Sequence, residues 1–99
     1  MRVYVIRNPT HFAVALRYRP GEDSAPVVMA MGRDSLALRI VQTAVDNNVA
    51  VIENPPLARA LYANVELNRE IPPEFYTDVA EVLVYIFRLN EKKEIVSAK

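Results

Sequence analysis

The sequence predicts a single compact α/β domain in which three to four helices pack on a mixed four-stranded sheet. A chain of 99 residues, 52% of them hydrophobic, has the size of one domain with its own core. Seven prolines divide it into short apolar segments. In order, these segments have the periodicities of β-turn-β-β-α-β-α-α. Short strands followed by amphipathic helices are typical of a sheet covered by helices.

The first two predicted strands flank a turn. Residues 3–7 (VYVIR) are apolar on both faces and rich in β-branched side chains, which predicts a buried strand. The NPTH segment at 8–11 interrupts it, because proline has a fixed φ and restricts the residue before it to extended geometry. Residues 12–19 (FAVALRYR) resume as a strand. Its second face carries Ala13 and Ala15, so we expect another element to pack closely there.

A polar, exposed loop at 20–26 precedes a third strand at 27–31 (VVMAM). The first helix follows, with Asp34 or Ser35 as the capping side chain. It occupies 36–47, and its apolar stripe comprises Leu36, Ile40, Val41, Ala44 and Val45. A short buried strand at 50–52 then makes the connection a helical crossover.

Prolines mark the starts of the last two predicted helices. Asn54, followed by two prolines, caps a helix whose body is 57–64. Pro72 and Pro73 start a third helix that runs to about Leu89. The charged segment 90–99 is expected to fray, which gives a domain at 1–89 and a tail at 90–99.

Composition excludes several classes of function. Twelve basic and twelve acidic residues cancel, which argues against a nucleic-acid binder and a polybasic membrane-surface module. The chain has no cysteine and one histidine, so neither a Cys-ligated nor a His-rich metal site is expected. Two glycines cannot form a phosphate-binding loop. We expect no cofactor and no metal.

Localisation is predicted from two patterns that the chain lacks. No run of about 18 apolar residues is present, and the first residues have no signal-peptide pattern. The sequence therefore predicts a cytosolic chain that does not span a bilayer by itself.

The Asn8-Pro9 pair, held between two apolar strands, predicts self-cleavage. An asparagine side-chain amide can attack its own backbone carbonyl, form a succinimide and expel the next nitrogen. Pro9 has no N–H, so the usual deamidation route is closed and chain scission remains. Thr10 and His11 are the nearest polar groups that could donate a proton or stabilise the oxyanion. The alternative is a simple turn, since Asn-Pro is common in turns.

The segment 8–16 (NPTHFAVAL) resembles the self-cleaved NPTH segment of the FlhB/YscU family of type III secretion export-switch proteins. The similarity extends over nearly the whole chain and is closer to the flagellar, FlhB-like branch. It continues through SAP at 24–26, LALRI at 36–40, ENPPLARALY at 53–62, EIP at 70–72 and VAEVL at 79–83.

The resemblance implies a cytoplasmic C-terminal domain of a bacterial inner-membrane protein, attached through a linker to four membrane-spanning helices. It implies an intramolecular, single-turnover cut between Asn8 and Pro9, after which the two pieces stay together. The implied role is in protein export and in the change from rod and hook substrates to filament substrates. The implied partners are rod- and hook-type export substrates, the hook-length ruler protein and other export-gate cytoplasmic domains.

The same resemblance implies a substrate-docking patch at Ala25, Pro26, Ala80 and Leu83. From the residues alone, Ala25 and Pro26 leave an exposed loop slightly apolar, whereas Ala80 and Leu83 are equally compatible with ordinary helix packing.

Two other hypotheses remain open. Met1 lies only seven residues before Asn8, so the chain is either a piece of a longer protein or a stand-alone paralogue. Such a paralogue could keep the NPTH segment intact and act as a docking module. The third hypothesis is a small hydrolase or transferase that uses His11 with a distant carboxylate. The mass of the intact protein distinguishes the self-cleaving domain from the uncleaved docking module.

Overall fold

The structure is a computed structural model that describes residues 2–9 and 11–98, with side chains as far as residue 90. The four predicted strands and three predicted helices are all present, which confirms the α/β class. They are β1 (Arg2–Asn8), β2 (Phe12–Tyr18), β3 (Val27–Arg33), α1 (Ser35–Asp46), β4 (Ala50–Glu53), α2 (Pro55–Asn64) and α3 (Tyr76–Ala98), with a 3₁₀ turn at Pro73–Phe75 before α3.

The sheet is mixed, and its order is β3-β2-β1-β4. β1 and β2 form an antiparallel hairpin that pairs along its whole length, from Arg2 opposite Tyr18 to Asn8 opposite Phe12. β4 pairs with β1 in parallel, because α1 carries the chain from one edge of the sheet to the other. β1 is therefore an interior strand, paired on both sides.

The two faces of the sheet have different cores. On one face, α2 and α3 cover large side chains of β1 and β2, among them Tyr4, Ile6 and Leu16, which are fully buried. On the other face, the buried side chains of α1 meet a surface of small side chains that includes Ala13 and Ala15. The expectation of close packing against these alanines is confirmed.

The apolar stripe predicted for α1 is partly wrong. Leu36 and Val45 are 47% and 56% exposed, whereas Ala37, which was outside the predicted stripe, is buried. The physical reason is the alanine surface of the sheet, which accepts small side chains at close range. The helix is therefore rotated so that Ala37 and Ala44 face the sheet.

The two predicted helix caps have different outcomes. Asn54 caps α2 as expected, since its side chain accepts a hydrogen bond from the Leu57 N–H at 3.3 Å. Asp34 occupies the N-cap position of α1, but its side chain makes no capping hydrogen bond. Asp34 instead has a positive φ of 54°, which places its main chain outside the usual N-cap geometry.

The third helix is longer than predicted. α3 runs to Ala98, past the expected end near Leu89. The added segment is rich in Glu and Lys, which have high helix propensity, and their mixed signs are compatible with a continuous helix. No helix among the described residues combines the length and apolarity that crossing a membrane requires.

Candidate functional site

The NPTH segment forms the turn of the β1–β2 hairpin. Asn8 ends β1, Phe12 begins β2, and the two residues pair across the hairpin. Asn8 is buried, with 7% of its surface exposed. The His11 N–H donates a hydrogen bond of 3.1 Å to the Asn8 carbonyl oxygen. Self-cleavage would attack this carbonyl, so the N–H lies where negative charge would develop.

Neighbouring chain segments hold both sides of the turn. The Arg7 carbonyl, just before Asn8, accepts a hydrogen bond of 3.0 Å from the Asn54 N–H. The His11 carbonyl accepts one of 2.9 Å from the Asp34 N–H. Asp34 follows β3 and Asn54 follows β4, so the turn lies where several strand ends meet. This restraint favours a fixed geometry at Asn8.

The turn borders a cleft of ≈ 390 Å³ that opens beside α1. Pro9 and the exposed His11 line it on the hairpin side. Asp34, Ser35, Ala37, Leu38 and Val41 line it on the helix side. The cleft leaves solvent-accessible space beside the Asn8-Pro9 bond. Thr10, the remaining residue predicted for this site, lies outside the described residues.

The described part of the chain contains no group of three or more acidic or histidine residues that could hold a metal ion. His11 and Asp34 line the same cleft, but within the described residues no ion pair joins them.

The four residues of the predicted docking patch meet in one cleft of ≈ 260 Å³. Ala25 and Pro26 come from the loop before β3, and Ala80 and Leu83 from α3. Ala25 is buried at 3% exposure, so the expectation of an exposed apolar loop is wrong at this residue, which packs into the main core. Pro26 and Leu83 are half-buried, and Ala80 is exposed.

Sequence reasoning missed two tyrosines of this cleft. Tyr18 and Tyr76 line it together with the four predicted residues and Ser24. Tyr76, Ala80 and Leu83 follow the i, i+4, i+7 spacing of one helix face, and this spacing could have identified Tyr76. No comparable signal connects Tyr18 to the cleft, because the connection depends on how β2 lies against α3.

An ion cluster holds the loop that carries Ala25 and Pro26. The Asp23 side chain is 6% exposed, and its carboxylate accepts hydrogen bonds from the Arg19 N–H at 2.8 Å and the Arg19 guanidinium at 3.1 Å. The Arg17 guanidinium lies 3.4 Å from it. These bonds, foremost that of the Arg19 side chain, lower the pKa of Asp23. At its other end the loop is fixed by a 2.9 Å bond from the Ile71 N–H to the Pro26 carbonyl.

The hairpin turn and the cleft of the predicted docking patch lie at opposite ends of β2. Phe12, its first residue, borders the turn, and Tyr18, its last, borders the cleft. At about 3.3 Å per residue, the strand separates the two sites by roughly 20 Å. Among the residues that the structure describes, none lines both clefts, although one strand connects them.

The chain matches the model of the family described as FlhB HrpN YscU SpaS over residues 3–86. It is 48% identical, over 88 residues, to the flagellar biosynthetic protein FlhB of Aquifex aeolicus, covering 89% of this chain and 25% of that protein. Against the FlhB of Escherichia coli K12 the identity is 47% over 86 residues, with 87% and 22% coverage. The chain thus spans about a quarter of the length of these relatives.

A crystal structure of the cytoplasmic domain of FlhB from Shewanella putrefaciens has a similar fold. The TM-score is 0.88 at 38% identity, over 94% of this chain and 71% of that chain. The region matched by the family model contains both the hairpin turn and the cleft of the predicted docking patch.

Proposed function

Because this chain belongs to the FlhB HrpN YscU SpaS family, we propose that it is the self-cleaving cytoplasmic domain of a flagellar type III export protein. In this role it takes part in protein export and in switching between substrate classes. The observation that carries the proposal is the buried Asn8, with its carbonyl bonded to the His11 N–H in a tight hairpin turn.

The proposed reaction is an intramolecular cyclisation. The Asn8 side-chain nitrogen attacks the Asn8 backbone carbonyl carbon, and the His11 N–H stabilises the resulting oxyanion. The bond from this carbon to the Pro9 nitrogen then breaks. A proton passes from the attacking nitrogen to the Pro9 nitrogen, directly or through water in the adjacent cleft. The products are a succinimide at residue 8 and a secondary amine at Pro9.

The barrier for such a cut is compatible with positioning alone. A reaction completed within minutes has a barrier of ~21 kcal/mol, whereas one that takes a week has ~26 kcal/mol. Fixed orientation of two reacting groups can contribute ~5 kcal/mol or more. Hydrogen bonds to the Arg7 and His11 carbonyls on either side of Asn8 support such a fixed orientation. The reaction is a single turnover and makes the chain no ordinary enzyme.

We propose that rod- and hook-type export substrates dock in the cleft between the 20–26 loop and α3. Its two tyrosines and apolar residues offer a site for a short apolar segment of a partner. The hook-length ruler protein and other export-gate cytoplasmic domains are the further proposed partners. In this proposal the domain is the cytoplasmic part of a bacterial inner-membrane protein.

The cut is tested by the intact mass of the protein, fresh and after incubation at neutral pH. We expect a fragment of residues 9–99, and persistence of the single full chain would contradict self-cleavage. Asn8→Ala removes the nucleophile, so it should abolish the cut while cooperative unfolding is kept. His11→Ala keeps the main-chain donor and should slow the cut only through loss of the ring. An unchanged rate would remove the ring from the mechanism.

Docking is tested with Ala80→Asp, because Ala80 is exposed and its replacement leaves the core intact. We expect this variant to lose binding to a rod- or hook-type substrate in a pull-down, while its melting temperature and self-cleavage stay unchanged. Ala63→Asp on the exposed side of α2 is the matched control. Equal binding by both variants would contradict docking at this cleft. Wild-type docking without any cut would favour the uncleaved docking module.

A further inference from the structure

A strained residue at the junction of β3 and α1 contacts the self-cleaving turn. Asp34 has φ 54° and ψ −122°, a region that glycine adopts readily and other residues adopt only at a cost in free energy. Such strain persists where the surrounding structure imposes it, and it concentrates at functional sites. Asp34 also lines the cleft beside Pro9.

Helix capping does not account for this residue. Asp34 is at the N-cap position of α1, but its exposed carboxylate makes no capping hydrogen bond. The Asp34 main chain, in contrast, makes a specific bond, in which its N–H donates to the His11 carbonyl oxygen at 2.9 Å. The positive φ therefore lets the chain bond to His11 at the end of β3 and turn directly into α1.

That hydrogen bond is the first of two that connect Asp34, through His11, to the Asn8 carbonyl. His11 accepts from Asp34 through its carbonyl and donates to the Asn8 carbonyl through its N–H at 3.1 Å. Both main-chain groups of His11 are therefore held by hydrogen bonds. Because α1 is held on the sheet, a negative φ at Asp34 would have to rotate the 33–34 peptide that carries this N–H, and His11 would lose one of its two restraints.

We propose that Asp34 is a positioning residue for self-cleavage, and that its positive-φ main chain, rather than its carboxylate, keeps the His11 N–H on the Asn8 carbonyl. This inference rests on the proposed self-cleavage. Substitutions at this position can distinguish the role of the main-chain conformation from that of the carboxylate. Glycine and asparagine tolerate a positive φ, whereas alanine and especially valine do not.

The test is the rate of cutting in an Asp34 series made by cell-free synthesis and followed by intact mass from the first minutes. We expect Asp34→Gly and Asp34→Asn to cut within about twofold of wild type. We expect Asp34→Val to cut about tenfold more slowly or worse, since the strained conformation is then disfavoured. Asp34→Ala should cut at an intermediate rate. If the valine variant does not fold, the rates of Asp34→Ala and Asp34→Gly are compared instead.

Asn48 provides the matched control because it also has a positive φ, 59°, but follows the other end of α1. Asn48→Val should lower the melting temperature by a similar amount and leave the rate of cutting unchanged. A flat Asp34 series, equal slowing by Asn48→Val, or slowing by Asp34→Asn as strong as by Asp34→Val would overturn the inference while self-cleavage stands. A wild-type chain that stays intact would overturn both.

Discussion

Asn8 is the only polar residue among the buried ones that the structure describes. Polar residues are buried less often than apolar ones, so this position is the informative one for function. The neighbouring residues of the hairpin, Ile6 and Val14, are fully buried hydrophobic residues. In the proposed reaction, the Asn8 side chain therefore attacks its own main chain from a buried position.

Tyr4 gives a prediction about stability at the residue scale. Its side chain is fully buried, and its hydroxyl has no hydrogen-bond partner among the described residues. Burial also raises the pKa of this phenol. We expect Tyr4→Phe to leave the free energy of unfolding unchanged or to raise it by up to ~1 kcal/mol, as measured by urea denaturation.

Tyr4→Ala is the matched variant, because it removes the ring and should cost about 3–5 kcal/mol. A loss of more than ~1 kcal/mol in Tyr4→Phe would contradict the prediction and indicate that the hydroxyl is paired with a buried water.

Asp23 gives a prediction about pH. Its pKa is lowered in the folded chain, first by the Arg19 side chain, so its carboxylate stabilises the fold above the unfolded-state pKa of ~3.9. This contribution is lost as the pH falls through the lower, folded-state pKa. Asp23→Asn should therefore melt at a lower temperature than wild type at pH 7, and the difference should shrink in strongly acidic solution.

Glu22→Gln is the control for Asp23, because the neighbouring Glu22 is exposed. We expect its melting temperature to follow wild type at both pH values. If the difference in melting temperature between Asp23→Asn and wild type did not change with pH, packing rather than charge would stabilise the 20–26 loop.

At the scale of elements, the position of α1 depends on the small side chains beneath it. Ala13 is fully buried under this helix, so a larger side chain would push the helix away from the sheet. We expect Ala13→Leu to lower the free energy of unfolding by about 1–3 kcal/mol. Ala63→Leu, on the exposed side of α2, should change it by less than ~0.5 kcal/mol. Equal thermal or urea transitions for the two variants would contradict this packing.

Helix and strand positions were predictable where the hydrophobic periodicity agrees with the positions of prolines and capping residues. Pro55 and Pro56 after Asn54 mark the start of α2, and the structure begins the helix there with the Asn54 side chain as its cap. The face of α1 was predicted less well. Leu36 and Val45 fit an apolar stripe, but the alanine surface of the sheet selects Ala37 and Ala44 instead. The hydrophobic periodicity of a helix does not specify the shape of the sheet surface on which the helix packs.

At the scale of the molecule, the order of the strands decides what a cut at Asn8 leaves behind. The piece on the N-terminal side of such a cut contains β1, an interior strand paired with β2 on one side and β4 on the other. Tyr4, Val5 and Ile6 are buried, and burial of each such side chain contributes about 1.5–3 kcal/mol. The Arg2 guanidinium also lies 3.9 Å from the centre of the Phe87 ring of α3.

We therefore predict that the two pieces of the cut protein stay together under native conditions. They should elute as one species in size-exclusion chromatography and separate in denaturant. Ile6→Ala, which leaves a cavity in the main core, should weaken retention of the short piece. Arg7→Ala, at a half-exposed position of the same strand, is the control. Early loss of the short piece from the wild-type protein would contradict an interior β1.

The sequence by itself determined the class of the fold, the order of its elements and the chemistry available at Asn8-Pro9, because these depend on local periodicity, proline geometry and bond connectivity. Tertiary structure alone decided that β1 is interior, that Ala25 is buried, and that Tyr18 and Tyr76 border one cleft. It also placed the N–H groups of Asp34 and Asn54 beside the turn. These features depend on which distant segments meet, and that is set by the packing of whole elements rather than by neighbours along the chain.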